Sequence, residues 1–204
     1  MANFIAKQNT LYILMQDFIF YCKEGWQHII SVDALDHLLF ILALCAIYLA
    51  KDWKRVLVLV TAFTIGHSIT LVLSVLDVIK INEQLVEFLI PCTIIITGIY
   101  NLFYKKVQEQ KVQINYFFAL FFGLIHGLGF ANTIRFMLAK DQSIGTCLFG
   151  FNVGLEIGQI VIVSLILFCA YVFVQVLKIK QQWWIYALSI IAIIMAAKFA
   201  WERF

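Results

Sequence analysis

Residues 145–177 read GTCLFGFNVGLEIGQIVIVSLILFCAYVFVQVL, an apolar run interrupted by one charged residue, Glu156. A helix needs about 20 mostly apolar residues to cross the hydrocarbon of a bilayer. This run exceeds that length, so it tilts or protrudes. Gly150, Gly154 and Gly158 recur at four-residue steps on one face, which lets a neighbouring helix approach closely. Asn152, Glu156 and Gln159 share the opposite face. One side of this helix packs, and the other carries a carboxylate at membrane depth.

The rest of the chain agrees with an all-α, polytopic membrane protein. Of 204 residues, 63% are hydrophobic and 13% charged, with a mean hydropathy of +0.93. A soluble domain carries about 25% charged residues, so this one could not cover its surface in water. Charged breaks divide a single membrane domain, 1–204, into six spans at about 33–50, 55–77, 84–104, 113–138, 145–177 and 183–201. Pro91, the only proline, predicts a kink near the start of the third span. The segment Leu11–Ile30 is apolar but broken by Asp17, Lys23 and Glu24. Residues 1–30 are therefore expected to form an interfacial amphipathic helix rather than a seventh span. No small-residue cleavage site follows Lys7, Gln8 and Asn9, so no cleavable signal peptide is expected. Cys22, Cys45, Cys92, Cys147 and Cys169 are scattered singly, which argues against a disulfide framework or a thiolate metal site.

Positive charge sets the orientation. Lys51, Lys54, Arg55, Lys105, Lys106, Lys111, Lys178 and Lys180 fall on one side, against Asp52 and Glu109. The other side, with both termini, has seven basic and ten acidic residues. Both termini are therefore expected outside. Trp53, Trp183, Trp184 and Trp201 sit at span ends, as an interfacial belt requires. The expected partners are lipid and a metal ion; the net charge of +3 gives no reason to expect nucleic acid.

The metal ion is argued from the ionisable residues. All four histidines lie in or beside apolar stretches, where such groups are costly and rare without a function. Asp33, Asp36 and His37 share a helical face, close to the outer end of span one. His67 lies roughly 18 Å from the inner end of span two at 1.5 Å per residue, His126 at a similar depth, and Glu156 about 16 Å from the outer end of span five. Thr64, His67, Thr70 and Ser74 make a stripe of hydroxyls and imidazole on span two. Taken singly, each has a plainer reading: a histidine bonded to its neighbour, Asp33 capping a helix beside Ser31, Asn152 and Gln159 bridging helices. Together, three histidines and two carboxylates at compatible depths are expensive unless paired or metal-bound. Imidazole and carboxylate without thiolate suit nickel, cobalt, zinc, manganese or ferrous iron, and argue against cuprous ion.

The stretches Gly25-Trp-Gln-His28, Leu35-Asp36-His37-Leu-Leu-Phe40, Phe63-Thr-Ile-Gly-His67-Ser-Ile-Thr-Leu71, Gly123-Leu-Ile-His126-Gly-Leu-Gly-Phe130 and Phe151-Asn-Val-Gly-Leu-Glu156-Ile-Gly-Gln159 resemble the HupE/UreJ family of bacterial membrane proteins. The likeness is to the branch seen in Bacteroidetes-type bacteria rather than to members encoded beside hydrogenase or urease genes. It implies a six-span protein of the bacterial inner membrane and, from the better-known members, a nickel or cobalt permease. By position, the implied metal-handling residues are His28, Asp36, His37, His67, His126 and Glu156. Two departures separate this chain from hydrogenase-linked members: Ile29 replaces a proline after His28, and Ala34 and Leu35 stand where a glycine precedes the Asp-His pair.

Three functions remain open at this level. A permease would take a divalent ion from His28, Asp33, Asp36 and His37 inward to His67, His126 and Glu156. A membrane-embedded hydrolase would use three histidines, or two and a carboxylate, to hold zinc with one open position, and Glu156 as general base. An accessory or sensor protein would bind metal without either activity. Below His67 the sequence offers little polar beyond Thr61, Asn101, Asn115 and Ser164, which speaks against a continuous inward path.

Overall fold

A computed structural model describes residues 2–31, 34–103, 112–139 and 142–203, with side chains from Lys7 onward and, in the fifth helix, from Asn115. Asp33, Lys105, Lys106, Glu109 and Lys111, named above, lie outside the described residues.

Among the described residues eight α-helices follow one another: α1 (Ala2–Ile30), α2 (Leu35–Cys45), α3 (Trp53–Val75), α4 (Glu83–Leu102), α5 (Val112–Gly129), α6 (Ala131–Met137), α7 (Ile144–Ala170) and α8 (Gln181–Glu202). Among the described residues there is no strand. Polar side chains cap the starts of α4 and α7: Asn82 accepts from the Gln84 amide at 2.9 Å, and Ser143 from that of Thr146 at 3.5 Å.

Four helical stretches are long and apolar enough to cross a membrane, Ala50–Val75, Glu83–Leu102, Ile144–Val176 and Gln181–Glu202. Two bent pairs qualify when each pair is taken together, Lys7–Ile30 with Leu35–Cys45 at 68° and Asn115–Gly129 with Ala131–Met137 at 46°. The all-α, polytopic architecture is thus as expected, with up to six crossings.

The expected fourth span, 113–138, is broken. Gly127 and Gly129 weaken the end of α5, and the chain turns at Phe130. Pro91 does the reverse: α4 runs through it as one helix.

Glycine seams join the helices in pairs. A Cβ on Gly123 or Gly127 of α5 would collide with the carbonyl oxygens of Phe63 and His67 on α3. A Cβ on Gly150 or Gly154 of α7 would meet those of Phe18 and Cys22 on α1. In both pairs the residue numbers rise together, so the two helices run parallel. The face of α7 read as a packing face does pack, and its partner is α1. The pairing continues to Gly158 beside Ile29, and Asp17 accepts from Gln142 at 2.9 Å just before α7 begins. The second half of α1 therefore lies along the first half of α7. A third seam sets Gly98 of α4 against Ile193 and Ser189 of α8. The short α2 contacts α4, α7 and α8. Around it Phe40, Phe63, Ile94, Val163 and Ala192 form the core, nearly or wholly buried.

Candidate metal centre

Both bends bring histidines to the same place. His28 lies in the last turn of α1 and His37 in the first turn of α2, on either side of the 68° bend. His126 lies in the last turn of α5, just before the 46° bend. His67 arrives from the interior of α3. The ring centroids are 4.8 Å apart for His28 and His37, 5.9 Å for His37 and His67, and 4.9 Å for His37 and His126. One nitrogen each of His28, His37 and His67 can be chosen so that all three lie within 4.8 Å of one another. A tetrahedral ion with nitrogens at about 2.0–2.1 Å sets those nitrogens roughly 3.4 Å apart. The widest nitrogen pair is thus at most about 1.4 Å beyond a closed site.

The hydrogen bonds say which nitrogens are free. Asp36 Oδ1 accepts from the His37 backbone amide at 2.8 Å and lies 3.1 Å from His37 Nδ1. A carboxylate only accepts, so it holds the proton on Nδ1 and turns the Nε2 lone pair to the cluster. Thr93 spends its single proton on the Ile90 carbonyl at 2.7 Å, so it accepts from His126 Nε2 at 3.0 Å. That leaves His126 Nδ1 as the free acceptor. His28 Nε2, His37 Nε2, both nitrogens of His67 and His126 Nδ1 are buried with no hydrogen-bond partner among the described residues. Buried polar atoms are nearly always satisfied. One free nitrogen from each of the four rings in one place fits a transition-metal ion, whose ligands they would become.

Aromatic rings close the cluster. Phe130 lies 3.9 Å from His28, and Phe151 lies 6.3 Å from His67 in a stacked pose. Phe40 and Phe63 each lie 5.1 Å from His126. On one side the wall opens into a cavity of about 260 Å³, lined by His28, Asp36, His37, Glu87, His126 and Arg203 among others. On the far side of the phenylalanines a second cavity, of about 70 Å³, is lined by Tyr48, Thr97, Asn101, Asn115 and Phe122 among others. Phe40, which sits 4.9 Å from Phe63 and 5.8 Å from Phe122, stands between the two.

The two depths read from the sequence do not appear as two tiers. The 68° bend carries His37 inward, so the pair expected to be shallow joins the deeper histidines. Glu156 stands apart: its Oε1 accepts from Thr61 Oγ1 at 2.6 Å, between α3 and α7. Gln159 Oε1 lies 2.7 Å from Thr64 Oγ1 in the same seam. Glu156 Oε2, Gln159 Nε2 and Asn152 Oδ1 have no partner among the described residues, so this is a second polar cluster. Thr70 only returns to its own helix, at the carbonyls of Gly66 and His67.

Sequence reasoning missed Thr93, Glu87 and Arg203. The spacing of Thr93 and Thr97, two hydroxyls on one face of a span, was a signal for the first. Nothing local marks Arg203, whose partners are distant in sequence.

A family model described as HupE / UreJ protein matches residues 5–203, nearly the whole chain. No curated protein and no solved structure matches.

Proposed function

The chain belongs to the HupE/UreJ family, and from that premise and the histidine cluster we propose that it is a permease for a divalent transition-metal ion of the nickel or cobalt type. The observation that carries the reading is the set of three imidazoles from α1, α2 and α3, with ligand atoms within 4.8 Å and a cavity leading to them. His28, His37 and His67 hold the ion, His126 Nδ1 is the fourth donor, and Asp36 orients His37. Imidazoles bind such ions well without making release impossible, because ligand protonation competes with the metal. The two cavities on either side of Phe40 and Phe63 support a path interrupted by an aromatic plug. Glu156, Thr61, Thr64 and Gln159 serve as a separate polar station beside that path.

The charge bias of the loops supports an orientation with the cavity mouth and both termini outside the bacterial inner membrane. The first crossing is the second half of α1 together with α2. The start of α1, with Leu11, Tyr12, Ile13 and Met15 exposed, rests in the outer interface.

A hydrolase is the second reading, favoured by three histidines that leave one side open to a cavity. Two placements weigh against it. Asp36 is committed to His37 and Arg203, and Glu156 faces Thr61 rather than the cluster. The deciding experiment combines elemental analysis of the purified protein with uptake of Ni²⁺, Co²⁺ and Zn²⁺ into proteoliposomes. One equivalent of metal with saturable uptake supports the permease. Bound metal without uptake of any of the three overturns it.

A further inference from the structure

Arg203, just past the end of α8, is held by two acceptors from different helices. Its Nη1 lies 3.1 Å from Asp36 Oδ2 and 3.4 Å from the carbonyl oxygen of Glu87. The second acceptor exists because of Pro91. Proline has no N–H, so the carbonyl four residues earlier loses its helical donor. Glu87 is that residue. The only proline of the chain thus leaves an open carbonyl on the cavity wall, and an arginine from another helix takes it.

The consequence falls on Asp36. Its Oδ1 is engaged by His37, and its Oδ2 by Arg203, so both oxygens are in use. The Arg203 side chain is 26% exposed and that of Asp36 only 9%. The guanidinium therefore stands between the mouth of the cavity and the buried imidazoles, and Glu87 is the other acid on the lining among the described residues.

Resting on the reading of this site as a path for divalent cations, we infer that Arg203 is a tethered counter-cation at the mouth. It occupies Asp36 while the path is empty, and an incoming ion must displace it to reach His28 and His37. A resident positive charge repels cations of every kind, so it raises the concentration needed for occupancy. A divalent ion that gains imidazole ligands overcomes that repulsion. A monovalent ion, with half the charge and weak affinity for imidazole, does not. When the ion moves on, the guanidinium returns to Asp36.

The test needs one readout that does not depend on metal. Ser31, on the cavity wall, is changed to Cys, and its modification by a cationic and an anionic thiosulfonate of matched size is timed with and without Arg203→Gln. Protein lacking the Ser31→Cys change gives the background from the native cysteines. Arg203→Gln should raise the cationic-to-anionic rate ratio by about tenfold, the size expected when one nearby charge is removed. In proteoliposomes the same variant should lower the half-saturating Ni²⁺ concentration by about tenfold without raising the maximal rate, while Arg203→Lys stays near wild type. Pro91→Ala, which restores the helical donor to Glu87, should move both readouts the same way by less. An unchanged reagent ratio overturns the inference. So does a lower maximal rate and melting temperature at unchanged half-saturation, which is the mark of a structural brace. If the wild type takes up no Ni²⁺, the permease reading fails, and the reagent ratio alone still decides the role of Arg203.

Discussion

Replacing His67 by Ala is the sharpest perturbation of the proposed site, because its two expected effects separate. His67 is fully buried and neither ring nitrogen has a partner among the described residues. Each unsatisfied buried polar atom costs about 1–3 kcal/mol, which the substitution relieves. Deleting the ring also leaves a cavity, at a cost of about 2–5 kcal/mol for a large-to-small change. The two nearly cancel, so the metal-free variant should melt within a few degrees of wild type. With metal the proteins should diverge. A ligand at 100 times its dissociation constant stabilises by about 2.7 kcal/mol. For a chain of this length each kcal/mol moves the midpoint by about 2–4 °C, giving a wild-type rise of roughly 5–10 °C. His67→Ala should show no rise and no stoichiometric metal. The assay is a thermal melt in detergent with and without Ni²⁺, paired with elemental analysis. If the variant keeps its metal and its rise, His67 is not a ligand and the cluster as drawn is wrong.

Three further outcomes follow from particular contacts. Glu156→Gln should leave metal content and the metal-induced melting shift intact while slowing uptake, since Glu156 bonds to Thr61 and not to the cluster; loss of bound metal in this variant would put Glu156 back among the ligands. Gly154→Leu should strip the metal without touching a ligand, because its Cβ would strike the Cys22 carbonyl and the Trp26 amide and lift α1, with His28, off α7. The cost is at least about 1–3 kcal/mol, the usual range for overpacking, and a variant that melts and binds like wild type would refute the seam. A cysteine at Leu11 should react with an impermeant reagent outside intact cells and one at Lys178 should not; the opposite pattern would reverse the orientation.

Much of this fold lies open in the chain because a bilayer imposes simple rules. Each apolar run became helix, since no other structure satisfies the backbone there. The Gly150, Gly154, Gly158 ladder correctly marked a packing face, because a small residue every four positions has no other use in lipid. Periodicity gives a face but never a partner, so nothing in the ladder pointed to α1. Asp17 made α1 look unfit for the membrane, yet Gln142 donates to one of its oxygens from another segment. The histidines were visible because ionisable groups are rare in apolar helices. That His37, His67 and His126 would share a site followed from their faces and depths; the two bends that build it, and bring His28 to it, did not. Glycines at 127 and 129 hint at one of these, while the other falls on a stretch with no breaker residue. Asp33, read as part of the same face, lies outside the described residues.

The three glycine seams divide the molecule into tightly coupled couples of helices, α1 with α7, α3 with α5, and α4 with α8. The donors are shared out among them. His28 rides on the first couple, His67 and His126 on the second, while the third supplies Thr93 and Arg203, and α2 brings His37 to the middle. An ion held by His28 and His67 would therefore be a rivet between bodies that glycine does not weld together. Its grip would depend on how those bodies lie against each other, tight when they close and slack when they rock apart. Affinity at such a site is a property of posture, and a small tilt of one couple would be enough to let the cargo go.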